Sequence, residues 1–186
     1  MDNKKEADQH SEIDNSTVEK AVAGDPIALV SLYDRYARDI YRYLYSRVGN
    51  AADAEDLTAQ TFMAVIESLP RYRHRGHFSA WIYQIARNKA MDLFRKQRQD
   101  PIDLPYDTAS SDEIMEQVIE GQAYEDLERL LKNLKEEEQE LIRLRFTAEL
   151  SFVEIAQLIG RKEDAVRKSI NRILERLSRQ MEVQNV

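Results

Sequence analysis

Between Arg71 and Arg98 the chain sets eight Arg and Lys side chains against one acid, Asp92, and interleaves five rings, Tyr72, Phe78, Trp81, Tyr83 and Phe94. Cations at this density neutralise phosphates, and exposed rings stack on unpaired bases. The chemistry on offer is therefore capture of a polyanion. The same segment also reads as a solvated basic helix, because from Ser79 onward Trp81, Ile82, Ile85, Ala86, Ala90, Leu93 and Phe94 recur at helical spacing and face a core. A second constellation lies near the C-terminus, where Glu163, Asp164, Arg167, Lys168, Asn171 and Arg172 share the outward face of a helix. In a major groove Arg or Lys donates to guanine, Asn pairs with adenine and a carboxylate accepts from cytosine.

Residues for bond-making chemistry are harder to assemble. Asp53, Glu55 and Asp56 fall in the first turn of a helix, where carboxylates favour the positive end of the dipole, and no further ligand is fixed nearby. His74 and His77 in an arginine-rich loop read as metal ligands or as plain surface. No nucleophile–base pair converges, so the expectation is no enzyme, no metal site and no cofactor. Without cysteine there is no disulfide framework, thiolate zinc site or cysteine nucleophile, which fits a cytoplasmic protein. No apolar run approaches the roughly 18 residues of a membrane span, and MDNKKEADQHSEIDN has no signal-peptide core, so no membrane insertion is expected.

The elements that must hold these groups are helices. Five glycines, four prolines and 33% charged residues accompany helical periodicity nearly throughout, which implies an all-α fold. The net charge of −7 is segregated: residues 71–98 carry +7, residues 99–140 carry −11, and residues 141–186 carry +3. Two small helical domains joined by a flexible acidic linker account for this: a disordered tail over 1–20, a first domain over 21–99, a linker over 100–111 and a second domain over 112–182. No extra sensory domain is expected after the last helix.

In the first domain Asp25-Pro26 caps a helix with Leu29, Leu32, Tyr33, Tyr36, Ile40, Tyr43, Leu44 and Val48 on its inner side, closed by Gly49-Asn50. A second helix, about 53–69, buries Ala54, Leu57, Thr61, Phe62, Val65, Ile66 and Leu69 and stops at Pro70; Ser79 caps the third. In the second domain one amphipathic helix spans Ile114, Val118, Leu127, Leu130, Leu131 and Leu134, with a break at Gly121. Another turns Leu141, Leu144 and Phe146 inward. Ser151-Phe152-Val153-Glu154 is a capping box opening a short helix that ends at Gly160. A longer helix then buries Val166, Ile170, Ile173, Leu174 and Leu177. Such a pair is a helix-turn-helix or a hairpin that merely packs.

Both halves resemble one family. DAEDLTAQTFMAVIESLPRYRHRGHFSAWIYQIARNKAMDLFRK is similar to region two, and LKNLKEEEQELIRLRFTAELSFVEIAQLIGRKEDAVRKSINRILERL to region four, of the extracytoplasmic-function (ECF) sigma factors of bacterial RNA polymerase. The resemblance implies a transcription initiation factor whose partners are core polymerase, through its largest-subunit clamp coiled coil and flap, promoter DNA, and an anti-sigma factor. Asp53, Asp56, Gln60 and Met63 would then face the clamp. Arg71, Tyr72, Arg73, Arg75, His77 and Phe78 would open the minus-ten element and hold a flipped base, with Arg87 and Asn88 alongside the strand and Lys89, Arg95, Lys96 and Arg98 on phosphates. Arg161, Lys162, Glu163, Asp164, Arg167, Lys168, Asn171 and Arg172 would serve the minus-thirty-five element. The chain departs from the family at Ala59-Gln60, commonly Gln-Glu, at Arg161, usually apolar, and at Ser169, often an arginine. The alternative is a stand-alone helix-turn-helix regulator with a helical N-terminal interaction domain.

Overall fold

In a computed structural model, residues 15–73, 77–99 and 122–184 are described. They form helices, with no strand among them, and the chain divides into two compact units, Met1–Thr108 and Ala109–Val186. The expected linker at 100–111, and Ile114, Val118 and Gly121, lie outside the described residues, as do His74, Arg75 and Gly76. No helix among the described residues is long and apolar enough to cross a membrane.

The first unit begins with α1, residues 15–22, where a disordered tail to residue 20 was expected. Val18 and Ala21, spaced three apart on one helical face, are both buried. Two apolar side chains are too few for a periodic signal, but they suffice once a larger core is there to receive them. α2 (Pro26–Val48) starts where Asp25 accepts the Ile27 N–H and ends where Gly49 turns left-handed (φ 78°). Asn50 immediately caps α3 (Ala51–Ser68), so α2 and α3 form a tight hairpin. A short 3-10 turn, Leu69–Arg71, carries Pro70 and extends α3. α4 (Phe78–Gln99) packs on both.

α4 begins one residue ahead of Ser79, and its first hydrogen bond runs from the Trp81 N–H to the His77 carbonyl, so His77 and not Ser79 takes the capping position. The core holds Leu32, Ile40, Tyr43, Leu44, Leu57, Ile82 and Ala86. Ile66 is not in it: it is 56% exposed, sharing an outer face with Met63. Tyr33 is half exposed too, with its ring edge-on to Phe62 at 4.7 Å.

The second unit contains α5 (Gln122–Lys132), α6 (Glu136–Ile142), a π-helical turn (Arg143–Thr147), α7 (Phe152–Ile159) and α8 (Glu163–Gln184). The wide turn adds a residue to the helical ladder, which rotates the side chains beyond it by about 100°. Leu141 and Leu144 therefore remain buried while Phe146, expected inside, is 51% exposed. On α8 the buried stripe is Val166, Ile170, Ile173 and Leu177; Leu174 lies at its edge and is 39% exposed.

Candidate nucleic-acid interface

In the first unit the aromatic residues sort into core and surface. Phe78, expected against DNA, is only 3% exposed, with its ring 5.6 Å from Tyr36, 5.5 Å from Tyr72 and 5.3 Å from Trp81. Standing at the first position of α4, it turns back onto α2 as an anchor for the helix start. Tyr83 is buried edge-on to Tyr43 at 5.4 Å. Phe94 is half buried further along α4, and around the start of that helix Trp81 and Tyr72 are both half buried, 4.6 Å apart and tilted. Arg71 and Arg73 are exposed beside them and His77 is half buried.

Along α4, Asn88, Arg95, Lys96 and Arg98 are exposed, while Arg87 and Lys89 are half buried. The Gln84 amide donates to the Asn88 carbonyl oxygen (2.9 Å), and Arg95 pairs with Asp92 (3.0 Å). Lys89, Arg95 and Lys96 line a shallow surface cleft with Asp53, Asp56 and Gln60 of α3. Residues expected on phosphates and residues expected on a protein partner thus border one another, a proximity that sequence spacing did not reveal.

The acids of α3 have local duties. The Asp53 N–H donates to the Asn50 side-chain oxygen and its carboxylate accepts from the Asn50 amide, both at 2.8 Å, so Asp53 locks the helix start. Asp56 accepts from Gln60 at 2.6 Å. Met63, 63% exposed, and Ile66 form an apolar strip on the outer face. Among the described residues no group of three acids or histidines could hold a metal.

In the second unit the bihelical corner is fixed by its caps. Ser151 donates its N–H to Glu154 (2.8 Å) and its hydroxyl oxygen accepts the Glu154 N–H (3.3 Å). Gly160 is left-handed (φ 68°), and the Arg161 N–H returns to the Ala156 carbonyl at 2.9 Å. With α7 stopped there, α8 leaves the corner showing Asp164, Arg167, Lys168, Asn171 and Arg172 to solvent; Glu163 is half buried. Arg167 bonds Glu163 at 2.5 Å, and Arg161 in the turn donates to the Ser169 hydroxyl at 3.1 Å. The Arg161 guanidinium thus ties the turn to α8. Lys162 is exposed in the same turn.

The model of Sigma-70 region 2 matches residues 32–99, and that of Sigma-70 region 4 matches residues 124–177. The chain is 34% identical over 172 residues to the ECF RNA polymerase sigma factor SigD of Mycobacterium tuberculosis strain H37Rv, covering 88% of this chain and 81% of that one. The chain belongs to the ECF RNA polymerase sigma factors.

Its similarity to the ECF sigma factor BldN of Streptomyces coelicolor is also 34%, over 167 residues, and spans 87% of this chain but 63% of that longer protein. A solved structure, CnrH in complex with the cytosolic domain of CnrY, shares the fold at TM-score 0.66 and 23% identity, covering 91% of this chain and 97% of that one. For an ECF sigma factor, the region 2 unit holds the Trp81–Tyr72 surface and the α3 strip, and the region 4 unit holds the helix-turn-helix. Neither Ile66 nor Phe152 stands out by sequence: Ile66 falls inside an apolar pattern and only its exposure separates it from core, and Phe152 is half buried and marked only by the guanidinium groups over its ring.

Proposed function

We propose that the chain is the promoter-specificity subunit of RNA polymerase, acting without catalysis of its own. The region 2 unit docks on the clamp coiled coil through Asp56, Gln60, Met63 and the neighbouring Ile66, and opens the minus-ten element with Arg71, Tyr72, Arg73 and Asn88. Arg75, Arg87 and Arg98 add phosphate contacts to the same strand. The region 4 unit contacts the flap and reads the minus-thirty-five element through α8. An anti-sigma protein is proposed as inhibitory partner on family membership alone.

The observation that carries this reading is the ordered pair of regions on one chain, the first with an exposed apolar strip beside acids and the second with an exposed cationic reading helix. A stand-alone regulator has no use for the first of these. The net charge of −7 also argues for feeble binding to free duplex, since the whole chain repels a polyanion that its cationic faces attract.

The test is a pull-down and run-off transcription with purified core polymerase. The wild-type chain should co-purify and direct initiation from a cognate promoter, and Met63→Asp with Ile66→Asp should lose both. Failure of the folded wild-type chain to bind core polymerase, or tight duplex binding without polymerase, would refute the proposal.

A further inference from the structure

Phe152, the first residue of α7, is half buried and lies beneath two guanidinium groups. The Arg167 Cζ is 4.7 Å from its ring centroid and the Arg145 Cζ is 5.1 Å away. Arg145 is held in place by donating to the Leu150 carbonyl (3.1 Å), which makes it part of the turn that leads into α7. Arg167 bonds Glu163, one helical turn earlier on α8, through Nη2 at 2.5 Å. Among the described residues Glu163 is the only protein acceptor of Arg167, whose side chain remains 51% exposed. Two cations at one ring repel each other, and Glu163 is bonded to just one of them. The local field therefore favours an incoming group that presents acceptors.

A guanidinium held on its face by an aromatic plate and at Nη2 by a carboxylate has lost its torsional freedom before any ligand arrives. Its remaining N–H donors keep a fixed fork, the geometry that matches guanine O6 and N7. Glu163 Oε1 is engaged by Arg167 in the same unit.

We propose that Phe152, Glu163 and Arg167 form one base-reading unit, in which Arg167 is the specificity-determining residue for a single guanine of the upstream promoter element and Phe152 and Glu163 are positioning residues. The inference rests on the sigma-factor reading and deepens it. Arg145 completes the plate from the side of the turn, so the reading helix is keyed to the preceding helix through one ring.

The experiment uses holoenzyme reconstituted from core polymerase and the full chain, incubated with a duplex library randomised across the upstream element; retained DNA is sequenced. Wild type should enrich guanine at one position by about 5- to 150-fold, the range a bidentate contact gives. Arg167→Ala and Arg167→Lys should erase that preference, the lysine retaining charge but not the fork. Phe152→Leu, which keeps apolar volume, and Glu163→Gln should each weaken the same position by about 3- to 10-fold and leave the other positions unchanged.

Guanine enrichment that survives Arg167→Ala overturns the inference. So does a Phe152→Leu or Glu163→Gln loss spread evenly over all positions and accompanied by a lower melting temperature, which is a structural role only. A wild-type holoenzyme that enriches no upstream sequence overturns the sigma-factor reading itself, and a selective wild type with an unchanged Arg167→Ala profile overturns this inference alone.

Discussion

Glu149 holds φ at 54° in the turn ahead of the helix-turn-helix, a left-handed conformation that costs a side chain about 1–2 kcal/mol. The turn requires it, because the next residue sends its N–H back to the Leu144 carbonyl at 3.0 Å. Glu149→Gly should stabilise the region 4 unit by about 0.5–1 kcal/mol after the added unfolded-state entropy of glycine, read as a higher urea midpoint at unchanged slope. Phe78 is buried, whereas Trp81, expected in the core from its spacing, is half buried. Phe78 is the packed ring, so Phe78→Ala should cost about 3–5 kcal/mol and melt the region 2 unit early. Trp81→Ala, from a half-buried site, should cost less; thermal unfolding followed by circular dichroism ranks the two.

At the scale of elements, the helix-turn-helix depends on where α7 stops. Gly160 is left-handed, and a Cβ built there meets nothing within 4 Å. Gly160→Ala should thus destabilise the unit by about 1–2 kcal/mol through backbone strain alone, without a packing clash. The opposite signs expected at Gly160 and Glu149 check the argument, since both turns use the same region of backbone space. Calorimetry on the two single variants and the double variant should show near-additivity. The hairpin of α2 and α3 obeys the same logic, with Gly49 ending one helix and Asn50 starting the next, and here the cap residues are legible from the sequence.

Across each whole unit, charge is spent on tertiary ties as well as on partners. Glu138 at the start of α6 accepts from Arg176 on α8 at 2.8 Å. That hydrogen bond holds the Glu138 carboxyl below its ordinary value of 4.5. A group whose folded pKa is depressed adds stability above its unfolded value and loses it as pH falls through the folded one. Glu138→Gln should therefore weaken the region 4 unit at neutral pH, and the deficit should start to shrink below about 4.5, where the unfolded chain takes up its proton, and vanish once pH has fallen through the lower folded value. Urea titrations at pH 7 and in steps below pH 4.5 measure it. Arg176 is 44% exposed, so solvent screens the pair and the effect is modest.

From α2 onward the order of the helices, several of their caps and most of the faces they bury were written in the chain, because periodicity and capping are local: Asp25-Pro26, Ser151-Glu154 and Gly160 act within a few residues of themselves. The family was legible for the same reason, as two runs of local pattern in the right order. Tertiary packing alone decided which residue at the edge of a stripe goes inside. Ile66 and Leu174 are apolar and nearly in phase, yet exposed, because a helix has more apolar surface than its neighbour can cover, and Phe146 is turned out by the π-helical turn. It also decided that Val18 is buried, that Phe78 is core, and that Arg145, Phe152, Glu163 and Arg167 meet. No spacing rule brings a turn, a helix start and a second helix to one ring; that takes a folded corner.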